Sequence, residues 1–225
     1  MSWLKTITDK PWVQSSVIEP RVETRKPRQV HKETAFKFLV CVIAVVFFLF
    51  TITFLQRSQS YDFQALAGET WLPFNDLSLL WRSTAFLVGA SMALFLASKQ
   101  TLESNLRASL TALFCAFVFS LAFLFSQIDI WQELSRSGFG LTLNPANSYF
   151  YLLTAVHGLH ILVGLYVLLV VSFRLLFEKF QGDTQCNLSL TAQYWHFMLG
   201  IWCFLFVLLT QDTETYKTIA IICGF

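Results

Sequence analysis

Charge is what this sequence has least of. Only 13% of its 225 residues are Asp, Glu, Lys or Arg, about half of the quarter that a water-facing globular surface carries. That deficit excludes a soluble fold and leaves no room for a large extramembrane catalytic domain. Close cysteine pairs are lacking too: Cys41, Cys115, Cys186, Cys203 and Cys223 form no Cys-x-x-Cys. Cys41, Cys115 and Cys203 lie inside apolar runs, where a thiol behaves as a small hydrophobe, which argues against a disulfide, a copper thiolate or an iron–sulfur centre. Proline is absent from every long apolar run, its five copies standing at 11, 20, 27, 73 and 145. The runs therefore read as unbroken helices, since lipid cannot replace a backbone bond that proline removes. The chain also lacks the short apolar core of a cleaved signal peptide near its start, so the first hydrophobic segment reads as an anchor. It shows no internal repeat and no paired broken helices of the transporter kind. No nucleophile elbow, phosphate loop or zinc-protease motif appears, and nothing points to nucleic acid.

What is abundant is apolar and aromatic: 55% hydrophobic residues, with 24 Phe and 7 Trp and a mean hydropathy of +0.56. Five stretches, at about 36–55, 79–98, 108–128, 149–176 and 192–210, approach or exceed the roughly 20 residues that cross a bilayer core about 30 Å thick. All are too long for barrel strands. The expected fold is an all-α membrane protein, a five-transmembrane-helix bundle over residues 36–210. A basic polar tail (1–35) precedes it and a short tail (211–225) follows. Placing the N-terminus inside puts twelve Lys/Arg on the inner side (5, 10, 21, 25, 26, 28, 32, 37, 99, 107, 174, 179) against Arg57, Arg82, Arg136 and Lys217 outside. This bias predicts N-inside, C-outside. The outer loops, about 56–78 and 129–148, carry Trp71, Trp81, Trp131 and Tyr149 at expected headgroup level.

Gly89, Ala93 and Ala97 recur every four residues on the second helix, as Ala108, Ala112, Ala116 and Ser120 do on the third. Small stripes let backbones approach in lipid, so these two helices are expected to form a packed hairpin. Lys37 and Arg82 lie near helix ends and can snorkel. Glu103 and Arg107 are expected as a turn pair at the hairpin's inner end, and Asp129 as an interfacial acid. His157 and His160, three apart, should share a helix face. At 1.5 Å per residue His160 lies about 16 Å from the outer end of its span and His196 about 6 Å from the inner end of the next. Three separated imidazoles cannot complete a haem or copper site, so all three are read as structural hydrogen-bonding groups between helices.

The run Tyr149-Phe-Tyr-Leu-Leu-Thr-Ala-Val-His157-Gly-Leu-His160-Ile-Leu-Val-Gly164 resembles the TGFHGLHVIIG helix of subunit III of cytochrome c oxidases and related quinol oxidases. Arg174 falls where that family has an arginine at the inner end of the same helix, and Tyr194-Trp195-His196-Phe197 with Trp202 resembles its last helix, YWHF...W. Ser83-Thr84, Leu102-Glu103 and the Asp129/Trp131 pair are similar to further family positions. The resemblance covers about 36–210 and implies the short, five-helix bacterial form in the cytoplasmic (inner) membrane. It implies a subunit without haem or copper that packs on subunit I, holds phospholipid in a cleft between its first two helices and the rest, and supports proton uptake. Haem and copper belong to subunit I and further copper to subunit II, with a small subunit IV as another partner. Arg174 is implied as a lipid-headgroup contact, and Tyr194, Trp195 and Trp202 are read as structural, interhelical residues. Two departures stand out: Ala44 replaces a glutamate buried in the first shared helix, and Leu199 an aspartate in the last. The competing readings are a subunit III-like accessory protein of a bacterial nitric oxide reductase and, more remotely, a small membrane transporter.

Overall fold

A computed structural model describes residues 27–69, 72–178 and 182–223. The first 26 residues of the expected tail, Trp71, Lys179 and the last two residues lie outside these. The described chain is helical: α1 (Pro27–Arg57), α2 (Ser78–Leu102), α3 (Leu106–Arg136), α4 (Pro145–Glu178), α5 (Gly182–Leu209) and α6 (Thr213–Cys223), with one 3-10 turn at Pro73–Asn75. The first five are long and apolar enough to cross a membrane. Each expected stretch falls within one of them, the fifth to within a residue.

The helices reach further into polar sequence than the apolar runs suggest. Residues 27–35, expected as tail, extend α1 from Pro27. Proline's fixed φ suits a first helical position, and Lys32 ties this extension to α5 through Asp183 at 3.5 Å and Asn187 at 3.0 Å. The segment after 210, also expected as tail, folds into α6. Asp212 accepts the Thr215 amide at 3.0 Å, which caps the helix. Tyr216, only 2% exposed, wedges its ring against Phe54 and Phe63 at 5.3 and 5.7 Å and donates to the Leu208 carbonyl.

Packing is most extensive between α2 and α3, followed by α2 with α5 and α4 with α5. These four helices form the core, and α1 leans on α4 and α5 with far less contact. The α2–α3 turn is tight: Ser104 takes a left-handed φ of 59°, and Asn105 caps α3 by accepting the Ala108 amide. At the other end, termed the loop end as opposed to the hairpin end, the 58–77 loop buries Phe63, Leu66, Leu72 and Phe74. Gly68, at φ +108°, passes so close to the α5–α6 link that a Cβ there would lie 2.9 Å from Asp212 Cβ. Trp131 and Tyr149 are half-buried and pack on the core.

Candidate functional site

Three tryptophans knit the core helices. Trp202 Nε1 donates to Thr84 Oγ1 (2.9 Å, α5 to α2), Trp195 Nε1 to Ser120 Oγ (3.1 Å, α5 to α3) and Trp131 Nε1 to Thr154 Oγ1 (3.1 Å, α3 to α4). Each hydroxyl passes its own proton to the carbonyl four residues earlier, at 2.8, 2.7 and 2.6 Å. Each of these three indole N–H groups is thus satisfied, and each hydroxyl both donates and accepts. In a membrane such interhelical bonds contribute about 0.6–2 kcal/mol apiece. Sequence reasoning found the tryptophans on α5 but not their acceptors. The available signal was that a buried indole needs a partner and that Ser and Thr can sit in a helix by bonding its backbone.

The small stripes are only partly the contact line. Gly89 faces the Phe119 ring, where a Cβ would meet carbon at 3.3 Å, and Ala93 and Ala97 are buried. On α3, Ala116 is fully buried, but Ala108 and Ala112 are half-exposed. The buried line runs through Ser109, Leu113, Ala116, Ser120 and Phe123, because a 3.6-residue helix drifts off a strict four-residue repeat. Glu103 and Arg107 are both exposed, and no ion pair joins them. Their spacing is not a helical one, since the chain reverses at Ser104. Asp129 meets Arg82 at 3.7 Å across α2 and α3, both half-exposed, a pair worth no more than about 1 kcal/mol.

The three histidines occupy three environments. His157 is fully buried in an aromatic box of Phe47, Phe123 and Trp202, with ring centroids at 6.3, 5.7 and 5.4 Å, and neither ring nitrogen has a hydrogen-bond partner. His160 shares the Phe47 face, but its Nδ1 pairs within its own helix with the Val156 carbonyl at 2.7 Å. The expected interhelical bond is therefore not made by either ring. The main chain of His160 makes one instead, accepting the Tyr194 hydroxyl at 3.0 Å. His196 does bond across helices, from Nδ1 to the Ser91 hydroxyl of α2. It lies about 21 Å from the start of α5, which begins at Gly182, ten residues before the expected span. Among the described residues no three His, Cys, Asp or Glu side chains converge as a metal site.

A cleft of about 500 Å³ separates α1 from α4 and α5; it sets off α1 alone and not the first two helices, because α2 packs into the core against α3 and α5. Phe36, Leu39 and Ile43 form one wall, and Val163, Val167 and Val171 part of the other. Its polar groups include Arg174, Asn187 and Thr191, near the hairpin end. Arg174 is exposed and makes no ion pair among the described residues. Gly164 lets α4 and α5 close behind the cleft: a Cβ there would stand 2.8 Å from the Trp195 ring and 2.9 Å from that of Tyr194. Ala44, expected where relatives bury a carboxylate, is exposed, whereas Ile43 and Phe47 point inward. Helical geometry sets this, since position 44 lies about 100° round α1 from Ile43. Leu199 is half-buried against the core.

The sequence profile of cytochrome c oxidase subunit III matches residues 2–211. Cytochrome c oxidase subunit 3 of Canis lupus is 24% identical over 206 residues, covering 89% of this chain and 78% of the relative. The same subunit of Raphicerus campestris is 25% identical over 207 residues, covering 90% and 78%, and that of Aedes aegypti 26% over 174, covering 75% and 65%. With its five membrane-length apolar helices and a match along nearly its whole length, this chain is a multi-pass membrane protein that belongs to the cytochrome c oxidase subunit III family.

Proposed function

We propose that this chain is the non-catalytic third subunit of a proton-pumping haem-copper terminal oxidase, seated in a bacterial cytoplasmic membrane with its N-terminus inside. It packs on subunit I, which holds haem and copper, beside a copper-bearing subunit II and a small subunit IV, and it supports proton uptake and the integrity of the complex in aerobic respiration. Three imidazoles in an aromatic box, on a backbone carbonyl and on a serine do not fit a redox metal, so no electron-transfer step is assigned to this chain.

The observation that carries a lipid-binding role is the cleft. Its apolar walls suit acyl chains, which would pack there by van der Waals contact as they do in the bilayer. The Arg174 guanidinium at its polar end suits a phosphate, which it can hold through two parallel N–H donors. A lipid seated there would fill the space between α1 and its neighbours, where direct helix contact is sparse. Purification through a tag on this chain in mild detergent, with haem spectra, subunit composition and lipid mass spectrometry, tests the reading. Haem-bearing subunits and phospholipid should co-purify, and Arg174→Gln should lower phospholipid per chain while haem per complex stays constant. A chain that brings down no haem protein refutes it.

A further inference from the structure

Gln127 on α3 and His157 on α4 are 4% and 0% exposed, and among the described residues neither the carboxamide nor either ring nitrogen has a hydrogen-bond partner. Buried polar atoms nearly always find a protein group or ordered water, because leaving them unmet is costly.

Two helix registers place these groups. α3 and α4 run antiparallel, with the Phe123 ring on His157 and the Trp131 indole on Thr154. Gln127, one turn from both Phe123 and Trp131, therefore stands between those two contacts. The Cα–Cβ bonds of a helix tilt toward its own N-terminus, so in this antiparallel pair Gln127 leans toward the level of His157 and His157 toward that of Gln127. The α2–α3 hairpin adds a third group. It sets Thr101 against Ser109, Gly89 against Phe119 and Arg82 against Asp129, and the same register sets Ser83 opposite Gln127. Ser83 is fully buried, and its hydroxyl donates to the Leu80 carbonyl at 2.9 Å, which leaves the oxygen able to accept.

The chemistry of these groups selects what can sit among them. A neutral imidazole offers one donor and one acceptor, a carboxamide both kinds, and the serine oxygen an acceptor. The nearest carboxylate in this register, Asp129, is exposed and faces Arg82, so nothing here would compensate a cation. Water fits, since it donates and accepts at once and a buried molecule makes about three bonds to groups otherwise unmet.

We propose that Ser83, Gln127 and His157 form a buried water site at the junction of α2, α3 and α4. One or two water molecules accept from the Gln127 amide and the imidazole N–H and donate to the bare ring nitrogen, the carboxamide oxygen and Ser83 Oγ. Phe47, Phe123 and Trp202 surround the imidazole with rings and keep the site apart from lipid. The site stands whether or not the chain serves an oxidase.

Solid-state NMR on the full chain in lipid bilayers tests it, with labelled histidine and glutamine and with the His157 signal identified as the one lost in His157→Phe. Polarisation transferred from water should reach the His157 ring, which bulk solvent cannot touch. Gln127→Met keeps the side-chain length and removes its polar atoms, so it should cut that transfer by roughly threefold or more, one side of a site of about three bonds being lost, while the His160 and His196 signals stay in place. Ser83→Ala should lower the same transfer, and it carries the test should the Gln127 variant not fold. A His157 ring that receives no polarisation from water in the wild-type chain would overturn the site. So would transfer unchanged in both variants, or a direct His157–Gln127 side-chain contact with no water signal.

Discussion

Adding one methyl group at Gly164 should separate α4 from α5. The new Cβ would lie 2.8 Å from two atoms of the Trp195 indole and 2.9 Å from the Tyr194 ring. Trp195 cannot simply swing aside, because it is fully buried and its N–H is held by Ser120 on α3. Tyr194 is held likewise, through its hydroxyl on the His160 carbonyl. Overpacking of this kind costs about 2 kcal/mol, within a usual range of about 1–3. Displacing the two bonds costs about 1 kcal/mol each, and the better helix propensity of Ala returns about 1. The net expectation for Gly164→Ala is a loss near 3 kcal/mol. Gly158→Ala, six residues earlier on α4, provides the control: its Cβ would meet only Leu124, at an ordinary 3.7 Å, so it should be neutral or gain up to about 1 kcal/mol. Equilibrium unfolding in bicelles, followed by tryptophan fluorescence, measures both. If the two variants agree within about 1 kcal/mol, the close approach at Gly164 does not hold these helices and the reasoning fails.

A double-mutant cycle of Trp202→Phe and Thr84→Val should give a coupling of about 0.6–2 kcal/mol in the same assay, and a value near zero would remove the indole bond from the account. Hydrogen bonds from Arg57 and then Ser60 hold Asp62 below its ordinary 3.8, and Thr215 does the same for Asp212. The stability these carboxylates confer is present above pH 3.8 and lost only as pH falls through their lowered native values. Hydrogen-exchange protection over residues 60–68 and 213–219, corrected for the intrinsic pH dependence of exchange, should therefore hold at pH 4 and fall below it; a fall already at pH 5 would contradict this. Ala44→Glu places a carboxylate on an exposed, mid-helix position of α1, at a cost of about 2.5–3.5 kcal/mol for a charge at the helix centre. The yield of inserted chain should drop with no gain in oxidase turnover, and wild-type yield would show that the face meets water or a partner group.

The number of spans was legible because apolar run length is a composition property that tertiary contacts barely alter. Helix ends were not, and α5 shows why. Its first turns, Gly182-Asp-Thr-Gln-Cys-Asn, carry no apolar signal, and they are helical where Asp183 meets Lys32 and Thr184 and Leu188 are buried. Missing these turns placed His196 near the start of its expected stretch, whereas it stands in the middle of α5. Spacing did place His157 and His160 correctly on one face, since both contact Phe47. It could not say that the rings make no bond to another helix, because that depends on which side chains stand opposite. The Glu103–Arg107 pairing failed for a related reason: a four-residue spacing has meaning only inside one helix, and a left-handed serine interrupts it.

The attachment of α1 bears on what the cleft can hold. Lys32 fixes α1 to α5 at the hairpin end, while Phe47 touches both His157 and His160 fifteen residues later. Phe54 then locks against Phe63, Tyr149 and Tyr216 at the loop end. The cleft lies between the first two of these clamps. Fifteen residues of helix rise about 22 Å, against about 30 Å for the whole hydrocarbon core, and part of that rise belongs to the headgroup zone beside Lys32 and Arg174. What remains is close to the depth of one leaflet. A lipid bound as proposed would therefore come from the hairpin-end leaflet alone, its phosphate at Arg174 and its chains ending near Phe47. The opposite leaflet would meet an α1 already closed by aromatic contacts. Loss of Arg174 should then loosen the first half of α1 and leave the second half, from Phe47 onward, as firmly packed as before.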